Sequence, residues 1–247
     1  MLASELSDVM EIIVKTLRAC VRGPRRRAEI VEHMTHMGVE SLPIIVIATA
    51  FAGLVVTSEI AFHMDMALHT VEMIPGFSGQ FIFRELGIAI PALLLVAKVG
   101  ASTTAEVSTM KITEQIDALK LLGIDPVEFL VYPRFVSSIL MVSCLTLISI
   151  FVTLACAIAF AVINHGFSTM EYLNSLTPFL STKDLVCALV KGAVFGAVMP
   201  IVSCFYGFRC AGGAEGVGLA TTQSVVTSTV LVIVLDFLLT YAFSLIL

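Results

Sequence analysis

Charged residues are what this 247-residue sequence has least of: they make up 13% of it, against 58% hydrophobic residues and a mean hydropathy of +1.01. Water-soluble domains carry roughly 25% charged and roughly 45–50% apolar residues. A chain this poor in polar side chains cannot cover a folded surface in water. A soluble fold is excluded, and lipid is the solvent for most of the chain. The length fits one compact membrane domain with little room for a second, soluble one. The formal net charge of −5 says less than how the charges are distributed.

Catalytic signatures are missing as well. There is no G-x-x-x-x-G-K-[ST], and the dipeptide Gly-Lys occurs nowhere, so no P-loop is present to cradle phosphates. Gly212, Gly213, Gly216 and Gly218 fall out of G-x-G-x-x-G register with no strand before them, which reads as a flexible cytoplasmic turn. H-E-x-x-H and G-x-S-x-G are absent, so no catalytic residue is assigned. The six cysteines (Cys20, Cys144, Cys156, Cys187, Cys204, Cys210) include no C-x-x-C pair, and four lie in apolar runs as small hydrophobes rather than a disulfide or zinc framework. The N-terminus carries Glu5, Asp8 and Glu11 with no uninterrupted apolar core, so no cleaved signal peptide is expected. No internal repeat or low-complexity tract is evident.

What is there is helical periodicity. Leu2, Leu6, Val9, Ile13, Leu17 and Val21 recur three or four apart, and Glu5, Asp8, Glu11, Lys15, Arg18 and Arg22 fill the other side. That pattern predicts an amphipathic helix lying in the membrane interface. Gly23-Pro24 ends it, and Arg25-Arg26-Arg27 reads as an anchor to anionic headgroups; no folded reading domain accompanies it to suggest nucleic-acid binding. A second short amphipathic stretch runs through Ile30, Val31, Met34 and Met37. Five stretches are then long and apolar enough to cross about 30 Å of hydrocarbon: roughly 42–62, 85–107, 135–163, 185–208 and 221–247. The predicted fold is an all-α polytopic membrane bundle, with interfacial and elbow helices over 1–40 and a transmembrane domain over 41–247.

Orientation follows the positive charges. Lys15, Arg18, Arg22, Arg25, Arg26 and Arg27 precede the first span, Lys111, Lys120 and Arg134 lie between the second and third, and Arg209 lies between the fourth and fifth. The other connections carry little beyond Arg84 and Lys183. The N-terminus is therefore expected in the cytoplasm and the C-terminus in the periplasm, which agrees with an odd number of spans.

Segment 109–126 is too polar to span and too periodic for a loop. Ile112, Ile116 and Leu119 form one stripe, Glu114, Asp117 and Lys120 lie elsewhere, Gly123 is a stop, and Asp125-Pro126 starts the next turn. Such a helix either merely connects two spans or offers a partner something to grip. RELGIAIPALLLVAKVGASTTAE (84–106), TMKITEQIDALKLLGIDPVEFLVYPR (109–134), GGAEGVGLATTQSVV (212–226) and VLDFLLT (234–240) together resemble the MlaE/YrbE permease family. These are membrane subunits of ABC transporters that move phospholipid between inner and outer membranes. The resemblance runs over nearly the whole chain, weakest before residue 40 and over 63–83.

The resemblance implies an inner-membrane permease without its own ATPase site. Residues 109–126 would be the coupling helix seated in a cleft of the ATPase, with Lys111, Glu114, Gln115, Asp117, Lys120 and Asp125 as contacts. Two copies would pair around a cavity, with close approach at Gly100-Ala101-Ser102-Thr103-Thr104-Ala105. Two cytoplasmic ATPase subunits would bind the ATP and Mg, an MCE-domain lipid carrier would sit outside, and a small cytoplasmic accessory subunit could join them. Two positions depart from the family pattern: Ala97-Lys98-Val99-Gly100 has a lysine where an arginine is expected, losing a bidentate fork, and Leu219 replaces a basic residue.

Ionisable groups at membrane depth need a partner, water or a job. Arg84 and Glu85 read either as helix-start chemistry or as the lining of the outward cavity, where Arg84 would attract a phosphate and Glu85 would tune the gate. Lys191 either faces the lipid path or pairs with a group such as Asp236. Asp236 reads as an interhelical hydrogen-bonding residue or a proton relay. Lys98 and Glu106 either pair or snorkel. His63, Asp65, His69 and Glu72 match no closed metal site and read as a solvated loop, made rather apolar by Met64, Met66, Met73, Ile74 and Phe77. Two rivals stand beside the ATP-driven permease: a carrier coupled to ions or protons through Asp236, Glu85 and Lys191, and a passive scaffold for an external lipid carrier.

Overall fold

The computed structural model describes residues 2–22, 26–68 and 72–245; Gly23, Pro24, Arg25 and His69 lie outside the described residues. Among the described residues every regular element is helical. Helix α1 spans Leu2–Arg22, α2 Arg27–Met34 and α3 Leu42–Leu68. Helices α4 (Ile74–Phe81), α5 (Gly87–Leu95) and α6 (Ala101–Ile112) form one helical run, interrupted by wide π-turns at Ile82–Leu86 and Val96–Gly100. Then come α7 (Gln115–Leu121), α8 (Tyr132–His165), α9 (Thr169–Leu176), α10 (Thr182–Phe208) and α11 (Gly213–Ser244). Among the described residues, five helical runs are long and apolar enough to cross a membrane. The protein is a multi-pass, all-α membrane protein.

The observed helices outrun the expected spans. Most of the described residues of 63–83 are helical rather than loop: His63 and Asp65 belong to α3, with His63 3.9 Å from Glu59 one turn back, and α4 covers Ile74–Phe81. Pro75 sits in the first turn of α4, where its missing N–H costs nothing. Ile74, Pro75, Gly76, Ser78 and Gly79 are buried, while Met66, Met73 and Phe77 stay exposed, so only one face of α4 packs inward. The glycine turn is also shorter than expected. Gly212 and Gly213 take φ of 93° and 72°, a conformation glycine adopts without strain, while Gly216 and Gly218 already lie within α11.

The chain divides into two compact units; one boundary falls just before α3 and the others inside helices. The first comprises the residues up to Ser41, Leu93–Val142 and Ala193–Leu235. Its core gathers Ile12, Val107, Ile116, Val127, Leu130, Val131, Cys204 and Phe205. Small residues let its helices touch: a Cβ on Gly196 would stand 2.7 Å from the Ser138 carbonyl oxygen, and one on Gly207 2.7 Å from Val107. Thr104 donates to Ser224 at 2.8 Å across that packing.

The second unit comprises Leu42–Ala92, Ser143–Gly192 and the residues from Asp236 on. Ile45, Ile74, Ile82, Ile88, Leu145 and Ile150 are buried in it. Helices α4 and α9 pack together, and Ser78 and Tyr172 share a hydrogen bond of 2.7 Å in their buried contact. A capping box starts α9: Ser168 and Glu171 satisfy each other's backbone N–H groups.

Candidate functional site

Two groups of residues carry chemistry. The first lies wholly in the second unit and is built on the π-turn Ile82–Leu86. A π-turn holds one more residue than an α-turn and so swings the following side chains to a new bearing; such turns are frequent at functional sites. Here it carries Arg84 and Glu85. The Arg84 Nε donates to Asp184 Oδ1 at 2.8 Å. Asp184 is 1% exposed, and its other oxygen accepts the Ser181 N–H at 2.8 Å, a capping bond at the start of α10.

Two turns further along α10 stands Lys191, 2% exposed. Its ammonium has three protons, and three acceptors meet them: the Arg84 carbonyl oxygen at 2.8 Å, Glu85 Oε1 at 3.3 Å and Thr240 Oγ1 at 2.7 Å. Asp236 Oδ1 lies 2.8 Å from the same nitrogen, a charge contact without the alignment of a hydrogen bond. Thr240 also lies 2.9 Å from Glu85 Oε1 and 2.8 Å from the Asp236 carbonyl oxygen. One buried cation thus ties together the π-turn, α10 and α11. The cavity left beside it, lined by Phe83, Ile88, Cys187 and Phe243 among others, is about 50 Å³. That is space on the scale of a few water molecules.

The second group lies in the first unit. Helix α6 continues to Ile112 and then breaks: Glu114 takes φ of 61°, and α7 starts at Gln115. The single helix expected over 109–126 is therefore two helices around a left-handed residue. The Thr113 hydroxyl donates to the Thr109 carbonyl oxygen at 2.8 Å, and the Glu114 N–H to that of Lys111 at 3.2 Å, closing the end of α6. The break splits the expected stripe. Ile112 is left exposed on α6, whereas Ile116 is buried in the core with Leu119 packed against it.

Asp117 is held by two ammonium groups, Lys111 at 2.9 Å and Lys120 at 3.3 Å, whose hydrogen bonds draw its carboxyl below the usual aspartate range. Asp125 Oδ1 accepts the Val127 N–H at 2.9 Å, and its Oδ2 lies 3.2 Å from Lys15 on α1. Glu114, Gln115, Ala118 and Lys120 face outward, followed by Leu121 and Leu122, which are 89% and 75% exposed.

A family model described as Permease MlaE matches residues 30–242. The chain belongs to the MlaE permease family. Among relatives of this MlaE permease, a probable ABC transporter permease protein of Rickettsia conorii is 36% identical over 225 residues, covering 90% of this chain and 86% of the relative. Similar proteins of the same description occur in Synechocystis (34% over 221 residues, 90% of this chain and 84% of the relative) and Pyropia yezoensis (35% over 212 residues, 86% and 80%). The MlaE permease is a membrane subunit of an ABC transporter, which implies an ATPase partner.

The structure brings Arg84, Glu85, Lys191 and Asp236 into one cluster, so Lys191 and Asp236 are partners, as one reading of the sequence had it. It separates Lys98 from Glu106. The Lys98 ammonium donates to the Glu40 carbonyl oxygen, and Glu106 pairs at 2.7 Å with Arg134, which is 4% exposed. Asp184 and Thr240 were missed. Ser181-Thr182-Lys183-Asp184 is an S-x-x-D capping pattern, which would have marked Asp184 as a helix-start residue. Thr240 follows Asp236 by four residues, one turn along the same helix face.

Proposed function

We propose that this permease moves phospholipid between the inner and outer membranes of a bacterium, driven by ATP and Mg bound on a separate cytoplasmic subunit. The reading places the protein in the inner membrane with its N-terminus in the cytoplasm. Two copies pair around a central cavity, an MCE-domain lipid carrier stands at the periplasmic opening, and the ATPase grips residues 109–126. Arg84, Glu85 and Lys191 form the polar wall of the lipid path. One observation carries this: Lys191 is a buried ammonium in a membrane protein, held in place by groups from two other helical segments, the π-turn and α11. Such a charge is costly in hydrocarbon and by default marks a substrate or ion pathway.

The exposed Glu114, Gln115, Lys120, Leu121 and Leu122 supply what a docking surface needs, apolar anchors rimmed by charge. The proposal is tested by reconstituting the complex in liposomes with labelled phospholipid. The variant Lys191→Met/Glu85→Gln/Asp236→Asn removes the charges while keeping side-chain shape. It is expected to assemble and hydrolyse ATP yet lose lipid movement; full transport in it overturns the assignment of the path.

A further inference from the structure

Helix α1 carries two apolar stripes on different faces. Ile12, Thr16 and Ala19 are buried, while Met10, Val14, Leu17 and Val21 are exposed. At about 100° per residue the two stripes are centred roughly 160° apart. Asp8, Glu11, Lys15 and Arg18 fill one arc between them. The buried stripe seats on the stretch that follows α7: Ile12 shares a core with Ile116, Val127, Leu130 and Val131, and Lys15 lies 3.2 Å from Asp125. The Asp125 and Glu11 carboxylates raise the Lys15 pKa, Glu11 foremost. A second grip follows: the Arg26 guanidinium lies 3.7 Å over the Phe129 ring and donates to the Phe129 carbonyl oxygen at 2.8 Å. Both grips precede residue 30, where the family match begins.

The gripped stretch runs from the link between two membrane-crossing runs, one ending at Ile112 and the next starting at Val127, into the first turn of that next run. It therefore lies at the bilayer surface, and α1 lies beside it at the same level. A helix at that level with a bare apolar stripe and a charged arc is built to sink one face into the headgroup boundary. The geometry points to α1 as a brace between the bilayer and the ATPase-docking segment. Lipid holds the face bearing Met10, Val14, Leu17 and Val21, and the opposite face holds residues 116–131. Force from the ATPase then passes into the spans instead of being lost in local movement of α7. This rests on the ATPase docking proposed above, and the partner of the bare stripe is the cytoplasmic lipid surface.

The test uses the complete transporter in lipid nanodiscs and liposomes, with Ile12→Asp, Leu17→Asp, Lys15→Glu and Lys15→Glu/Asp125→Lys. Amide exchange over 115–131 should quicken about tenfold in Ile12→Asp and also in Leu17→Asp, although Leu17 lies on the exposed stripe. Lipid moved per ATP should fall about threefold or more in both, with the KM for ATP unchanged. Lys15→Glu should show a smaller loss, restored by the charge-reversed pair. Wild-type exchange and wild-type coupling in Leu17→Asp overturn the brace even if Ile12→Asp folds poorly. If no ATPase accompanies the wild-type chain through purification, the docking reading fails instead, and the exchange result, which needs no ATPase, tells the two failures apart.

Discussion

Replacing Lys191 by methionine removes the ammonium while keeping an unbranched side chain of similar length. Glu85 and Asp236, 30% and 18% exposed in their side chains, then lose their shared cation, and Thr240 and the Arg84 carbonyl oxygen each lose a donor. Removing one partner of a buried pair costs about 3–5 kcal/mol in soluble proteins. Interhelical hydrogen bonds within membranes average only about 0.6 kcal/mol, so three of them give about 2 kcal/mol. The expected loss therefore lies at about 2–5 kcal/mol. At about 2–4 °C per kcal/mol for a chain of this size, Tm should fall on the order of 5–15 °C. The assay is thermal unfolding in detergent, followed by size-exclusion chromatography.

The decisive comparison is Lys191→Met/Glu85→Gln/Asp236→Asn, which should recover most of the loss because no carboxylate is left without a counter-charge. A single variant as stable as wild type would refute the reasoning. So would a triple variant as unstable as the single one.

Asp184→Ala should lower stability by about 1–2 kcal/mol through the lost cap, with non-additivity against Arg84→Ala in a double-mutant cycle of unfolding. Hydrogen bonds from Lys111 and Lys120 hold the Asp117 carboxyl below the usual aspartate range, so its ion pairs stabilise the fold above that range and are lost only as pH falls through the lowered midpoint; carboxyl NMR should show the midpoint moving up in Lys111→Met, and no movement would count against the pairing. Glu114→Gly should keep or raise stability, and Glu114→Val should lower it by about 1–2 kcal/mol, since a β-branched residue tolerates φ of 61° poorly; equal melting temperatures would contradict this. Leu122→Cys should be labelled by impermeant maleimide only from the cytoplasm and Ser244→Cys only from outside, which checks the proposed orientation.

The membrane class, the five crossings and the amphipathic N-terminal helix follow from composition and period alone, because apolar length and 3.6-residue spacing are local quantities. The family resemblance was legible for the same reason: contiguous strings such as 109–134 carry it. Local chemistry misled only where packing overrode it. Residues 63–83 look like a loop by their charges, yet Ile74, Pro75 and Ser78 are buried and the stretch is mostly helix. Segment 109–126 looks like one helix by its spacing, yet it breaks at Glu114, where Ile116 turns into a core shared with Ile12 and Phe205.

The full set of partners was beyond the sequence. Lys191 needed a counter-charge, and the sequence offered Asp236 as one candidate against a place in the lipid path; the fold supplies Asp236 and also Glu85, across 45 and 106 positions of chain, and adds a threonine and a backbone carbonyl. Glu106 found Arg134 rather than Lys98 in the same way. Burial and period are written residue by residue, so the sequence alone determined that this protein crosses a membrane and must neutralise charges there. Which charges meet depends on where separate helices touch, and only the tertiary structure decides that.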